Sequence, residues 1–130
     1  MLSLIDALVS ASTEGSGRAG HGACQEMLAA GLSAMGFEVT YPELPAGVPH
    51  VLGTRHGADG APTILLLGHL DAPPGRDDEG HVFQRIDARI YGPGVAEMKT
   101  GLVMMLTSLE ALLGLGHLNA FSVRVLVVSD

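Results

Sequence analysis

A histidine and an aspartate follow an apolar segment in positions where they could bind a metal ion. His69 and Asp71 come directly after the apolar run 64–67 and Gly68. A short apolar run that ends at a glycine predicts a buried strand. Open α/β sheets build their ligand sites at the carboxyl ends of such strands. Because histidine is the commonest metal ligand and a nearby carboxylate can orient its ring, the spacing predicts a metal site that contains His69.

Two further carboxylates are candidate partners for His69. Glu97 lies in the glycine-rich segment 91–99, directly before a helical pattern, where the helix dipole favours a negative charge. Asp130 follows the last predicted strand. If these strands share one sheet, His69, Glu97 and Asp130 meet at one edge of it. An imidazole with carboxylates is a ligand set suited to zinc or a similar divalent ion.

Each of these residues also has an ordinary structural interpretation. His69 and Asp71 can form a hydrogen-bonded strand end, and Glu97 can be a capping carboxylate of the helix that follows. Asp130 can be a frayed terminus, and Lys99 is expected to be solvated. The remaining histidines lie in predicted loops or turns without ligand-like spacing; they are residues 21, 50, 56, 81 and 117.

The hydrophobic periodicity predicts the elements that must position these residues. Helices are predicted over 2–9, 23–35 and 98–113, and Gly36 is predicted to cap the second helix. The third helix is apolar almost all round, so we expect it to be buried. Strands are predicted over 37–41, 48–54, 62–68 and 121–128, with short alternating segments over 82–90. Loops are predicted over 10–22 and 72–80, and a hairpin-type turn over 56–61.

The order of these elements predicts an α/β fold. The strands over 37–41 and 48–54 are close enough in sequence to pair antiparallel, whereas strand, apolar helix and apolar strand in succession predict a crossover unit. We therefore expect an αβα sandwich with a mixed, mainly parallel sheet.

The composition excludes several classes of protein. The 130 residues suit one domain, and 7 Lys and Arg against 14 Asp and Glu give a formal charge of −7, which argues against nucleic-acid and membrane partners. The single cysteine, Cys24, excludes an intrachain disulfide and fits a reducing compartment. Because the N-terminus lacks a basic signal-peptide region, we expect a cytoplasmic location. A nucleotide-binding sheet is disfavoured, since segment 92–94 lacks the G-x-G-x-x-G spacing.

Two segments resemble the metal motifs of the co-catalytic zinc metallopeptidase superfamily. Residues 68–75 (Gly-His-Leu-Asp-Ala-Pro-Pro-Gly) resemble its first motif, and residues 90–101 (Ile-Tyr-Gly-Pro-Gly-Val-Ala-Glu-Met-Lys-Thr-Gly) resemble its second. Residues 125–130 are similar to the strand that precedes the family's Glu-Glu pair. The superfamily contains glutamate carboxypeptidase, aminoacylase-1, acetylornithine deacetylase and succinyl-diaminopimelate desuccinylase. The resemblance implies that residues 1–130 are the N-terminal portion of its catalytic domain, without the dimerisation domain.

The resemblance also implies roles for individual residues. His69 would be a zinc ligand, and Asp71 would be the catalytic-site carboxylate that orients it. Glu97 would replace the carboxylate that bridges two metal ions, a position where the family has the shorter Asp. The family also implies a cis peptide bond between Glu97 and Met98, and a glycine where this chain has Thr100.

The implied activity is metal-dependent hydrolysis of an amide bond next to a free carboxylate. Two zinc ions, or cobalt or manganese in their place, would act on peptides or N-acyl amino acids. Because the family's Glu-Glu pair would follow Asp130, we expect the 130-residue chain to be inactive alone. The alternative is a non-catalytic α/β fragment or interaction module. We also expect self-association if the apolar strand 121–128 is left at the edge of the sheet.

Overall fold

The computed structural model describes residues 1–11, 13, 18–42, 47–72 and 83–129. In chain order the helices and strands are α1 (Leu2–Ser10), α2 (Arg18–Ala34), β1 (Glu38–Thr40), β2 (Val51–Arg55), β3 (Thr63–His69), β4 (Gln84–Ile86), β5 (Arg89–Tyr91), α3 (Thr100–Gly114) and β6 (Ser122–Val128). A wide helical turn over Val95–Lys99 leads into α3, and a 3-10 turn over Leu118–Ala120 leads into β6. Within these ranges, no helix combines the length and the apolar character needed to cross a bilayer.

Four strands form a mixed sheet in the order β1-β2-β6-β3, and β4 and β5 form a separate hairpin. The predicted α/β class, the mixed sheet and the antiparallel pairing of the two early strands are confirmed. β6 pairs antiparallel with β2 and parallel with β3. Among the described strands the parallel part of the sheet is therefore the β3–β6 pair.

The expectation that segment 121–128 forms an exposed edge is wrong. The chain that leaves α3 returns between β2 and β3, so both edges of β6 are hydrogen-bonded, and β3 is at the edge instead. The predicted hairpin-type turn over 56–61 does not join two paired strands. Because β2 and β3 lie on opposite sides of β6, this turn crosses the end of β6 rather than joining paired strands.

The helices pack on one face of the sheet. The pairing register places Gly53, Val125 and Leu66 side by side, and Gly68 lies beside Val127 on the same face. A Cβ atom on Gly53 would lie 3.0 Å from Leu32 of α2, and one on Gly68 would lie 2.6 Å from Leu102 of α3. Both helices therefore cover this face, and α1 contacts both of them.

The opposite face of the sheet carries exposed leucines. Leu65 and Leu67 of β3 are 58% and 62% exposed, and no described helix covers them. In the part of the chain that the structure describes, helices therefore cover one face of the sheet, and the second helical layer of the expected sandwich is not seen there. The prediction that the third helix is buried is wrong for one side of it. Leu102 and Leu106 of α3 are buried, whereas Met104 is 60% exposed.

Helix α2 begins at Arg18, five residues before its predicted start at 23. Gly20 and Gly22 lower the helix propensity of the first turn, which favoured a loop there. Tertiary packing overrides this, because His21 and Cys24 are both fully buried. The earlier start places His21 on a helix that faces the end of β3, instead of in a loop as predicted.

Candidate metal centre

His69 is the last residue of β3, and its ring is held by the main chain that follows. Its Nδ1 atom lies 3.1 Å from the main-chain oxygen of Asp71. A carbonyl oxygen can only accept a hydrogen bond, so Nδ1 carries a proton, and in the neutral ring Nε2 keeps its lone pair. The half-buried ring is therefore prepared to bind a cation through Nε2.

The side chain of Asp71 makes a different contact. Its Oδ1 atom lies 2.9 Å from Nε2 of His21, which is fully buried in the first turn of α2. The contact that is seen between Asp71 and His69 thus uses the main-chain oxygen of Asp71. The carboxylate of Asp71, which was expected to orient His69, contacts His21. Sequence reasoning missed His21, because its partner is 50 residues away along the chain.

Thr13 forms hydrogen bonds with the residues on both sides of Asp71. Its hydroxyl donates to the main-chain oxygen of Leu70 at 2.6 Å. Its own main-chain oxygen accepts a hydrogen bond from the amide of Ala72 at 3.2 Å, and the Leu70 amide donates to Val128 at 3.0 Å. This segment is therefore fixed from the N-terminal part of the chain and from β6. The sequence carried no signal for Thr13, which lies in the predicted loop 10–22.

Glu97 lies in the turn that leads into α3, with an exposed side chain. Its backbone is extended, with φ −140° and ψ 102°. The peptide bond between Glu97 and Met98 is cis, which confirms the expectation from the resemblance. Met98 also contacts β3, because its Sδ atom accepts a hydrogen bond from the amide of His69 at 3.3 Å. The two sequence motifs are therefore joined in space at His69.

Lys99 is buried, so the expectation that it is solvated is wrong. It is 1% exposed, and its Nζ atom donates to the main-chain oxygen of Ala11 at 2.9 Å. Its aliphatic stem and this hydrogen bond connect the turn before α3 to the end of α1. Burial also raises the pKa of the nearby Cys24 thiol, an effect that the positive charge of Lys99 opposes.

The donor chemistry around His69 fits a divalent cation in part. An imidazole with an open Nε2 and a solvent-facing carboxylate at Glu97 are ligand types that zinc accepts. In the parts of the chain that the structure describes, no group of three His, Cys, Asp or Glu side chains comes close enough to hold a metal. Asp130, the third member of the predicted cluster, lies outside the described residues.

Comparisons with known proteins agree with the sequence motifs. Residues 65–130 match the model of peptidase family M20/M25/M40. The chain is 33% identical over 137 aligned residues to a succinyl-diaminopimelate desuccinylase of Leptothrix cholodnii, an alignment that covers 99% of this chain and 35% of that protein. It is 34% identical over 112 residues to the desuccinylase of Xanthomonas oryzae pv. oryzae, which covers 82% of this chain and 29% of the relative. The chain thus spans about a third of the length of these relatives.

Solved structures share the fold at lower sequence identity. Human carnosine dipeptidase 1 superposes with a TM-score of 0.80 at 16% identity, over 98% of this chain and 31% of that one. An M20 family metallo-carboxypeptidase from Sulfolobus solfataricus superposes with a TM-score of 0.77 at 21% identity, over 98% and 30%. At these identities the likeness supports the fold of the described elements.

Proposed function

Because the chain belongs to peptidase family M20/M25/M40, we propose that it is part of a metal-dependent amide hydrolase. Its substrates would carry an amide bond next to a free carboxylate, as in peptides or N-acyl amino acids. The relatives named as succinyl-diaminopimelate desuccinylases favour the N-acyl amino acid class. Zinc is the proposed metal, with cobalt or manganese as substitutes for the same ligand types.

The proposal assigns separate tasks to the residues around β3. His69 would bind the metal through Nε2, and Glu97 would bind it through its carboxylate. The Asp71 main-chain oxygen would keep the proton of His69 on Nδ1, which maintains the tautomer that can act as a ligand. A metal ion held by these residues would supply Lewis-acid chemistry, which would polarise a substrate carbonyl and lower the pKa of bound water.

One observation carries this assignment. The hydrogen bond of 3.1 Å between Nδ1 of His69 and the oxygen of Asp71 leaves Nε2 as the only ring atom able to act as a ligand. Ligand histidines in metalloproteins are commonly held through their other ring nitrogen in this way.

Calorimetric titration with zinc tests the assignment. We expect binding by the wild-type chain and loss of that binding in His69→Ala. His56→Ala is the matched control, since His56 is exposed in the turn after β2 and binding should be unchanged. Zinc binding that is absent from the wild type, or equal in wild type and His69→Ala, would remove His69 as a ligand.

The second candidate is a non-catalytic α/β interaction module. The exposed leucines 65 and 67 on the open face of β3 favour it, because apolar side chains on an edge strand promote association. The partner would be a second copy of the chain that pairs along β3. Self-association without zinc binding would favour this candidate over the hydrolase.

A further inference from the structure

His21 is a buried polar residue with a partner at the candidate metal centre. It is 0% exposed, and its Nε2 atom lies 2.9 Å from Oδ1 of Asp71, whose side chain is 30% exposed. A carboxylate accepts hydrogen bonds when it is ionised, so this geometry places a proton on Nε2 of His21. Buried polar side chains require such partners, which makes the contact part of the folded structure.

Asp71 therefore contacts two imidazole rings through different atoms. Its carboxylate contacts His21, and its main-chain oxygen accepts the hydrogen bond from Nδ1 of His69. Because the carboxylate and this oxygen belong to one residue, the contact with His21 restrains Asp71 in addition to the hydrogen bonds of Thr13. Its loss would let the Asp71 main-chain oxygen shift relative to Nδ1 of His69.

Helix α2 is well placed to supply a fixed anchor. Cys24 and Leu28, one and two turns further along, are fully buried in the core. Gln25 lies four residues after His21 and so on the same side of the helix. Its Nε2 atom donates to the Pro49 main-chain oxygen and lies 3.3 Å from Oγ of Ser129, directly after β6. Residues on one side of α2 thus form hydrogen bonds with the segments that follow β3 and β6.

We propose that His21 is a positioning residue of the metal centre, which anchors the Asp71 carboxylate and thereby holds the Asp71 main-chain oxygen on Nδ1 of His69. The proposal rests on the proposed function, because the ring that is positioned is the proposed ligand. His21 itself contacts neither metal nor substrate in this scheme. It links the fixed position of α2 to the His69 ring through Asp71.

The first test is made without metal. Long-range ¹H–¹⁵N NMR at about pH 8 reports which ring nitrogen of each histidine carries the proton. In the wild type we expect protonated Nε2 in His21 and protonated Nδ1 in His69. His21→Leu, which fills the space without a donor, should give His69 a mixture of tautomers. His21→Gln, which supplies an N–H donor, should restore the wild-type tautomer.

Gly22→Ala is the matched control, because a Cβ atom at Gly22 would have no neighbour within 4 Å. A wild-type His21 with unprotonated Nε2 would overturn the proposal, and so would a His69 tautomer that is unchanged in folded His21→Leu. If His21→Leu does not fold, the wild-type tautomer of His21 decides alone: protonated Nε2 supports the proposal and unprotonated Nε2 overturns it.

Zinc titration separates this proposal from the proposed function. Loss of an outer residue that orients a ligand commonly weakens metal affinity by 10–100-fold, so we expect about a tenfold loss in His21→Leu and recovery in His21→Gln. A wild type that binds no zinc would refute the metal centre, while the tautomer measurements would still decide the role of His21.

Discussion

The main-chain amide of His69 donates a hydrogen bond to the Sδ atom of Met98 over 3.3 Å. This contact joins two segments that are 29 residues apart in sequence and that each carry one proposed ligand. Met98 also lies next to Gly68, where a Cβ atom would be 3.1 Å from its Cε atom. The end of β3 and the turn before α3 therefore pack as one unit.

Gly68→Ala should destabilise the chain by about 1–3 kcal/mol, because the added methyl overpacks a filled site. Its Cβ atom would lie 2.6 Å from Leu102 of α3. Gly114→Ala is the control, since it lies in α3 with no neighbour within 4 Å of the added Cβ and should be neutral or stabilising. Urea denaturation of both variants measures the difference. Equal midpoints would contradict the packing of Gly68 against α3.

Glu97→Gln should weaken zinc binding by about tenfold, because the neutral amide is a poorer ligand for a divalent cation than a carboxylate. Glu110→Gln removes the same charge at an exposed position on α3 and should leave the affinity unchanged. Calorimetry on the two variants distinguishes a ligand from a general effect of net charge. Similar losses in both variants would exclude Glu97 as a ligand.

The stability of the chain should fall as the pH rises above 9.0, the ordinary pKa of the Cys24 thiol. Burial raises this pKa in the folded state, so the folded thiol stays protonated where the unfolded thiol ionises. The contribution is complete below the unfolded pKa and is lost as the pH rises through the folded pKa. Thermal unfolding of wild type and Cys24→Ala between pH 7 and 10 should show a steeper decline in the wild type. Parallel declines would show that Cys24 does not contribute.

Leu67→Lys should reduce self-association of the chain, because a charge on an edge strand opposes pairing with another strand. Ile86→Lys on the β4–β5 hairpin is the control, since Ile86 is 54% exposed and lies outside the main sheet. Sedimentation velocity over a range of concentrations measures the change. If Ile86→Lys had the larger effect, the open face of β3 would not be the site of association.

The sequence predicted the features that depend on local pattern. The apolar run that ends at Gly68 forms β3 and delivers His69 at its carboxyl end. Gly36 ends α2 with a φ of +80°, a conformation that glycine adopts at little cost. The resemblance added the cis bond at Glu97, which periodicity alone could not indicate.

Long-range packing decided the features that sequence reasoning missed. The position of β6 between β2 and β3 depends on strand pairing between distant segments, which hydrophobic alternation does not specify. His21 is flanked by glycines, so a loop was predicted there. Its burial depends on Asp71, which follows β3 and is 50 residues away in sequence. Lys99 looked solvated because its burial depends on the end of α1, 88 residues away.

Zinc titration followed by ¹⁵N NMR of the histidine rings tests the central claim most directly. We expect zinc to shift the Nε2 resonance of His69, while Nδ1 keeps its proton and its hydrogen bond to the Asp71 main-chain oxygen. The exposed His56 serves as an internal reference in the same spectra and should not change. A His69 resonance that is unaffected by saturating zinc, or zinc that binds through Nδ1, would contradict the assignment of His69 Nε2 as a metal ligand.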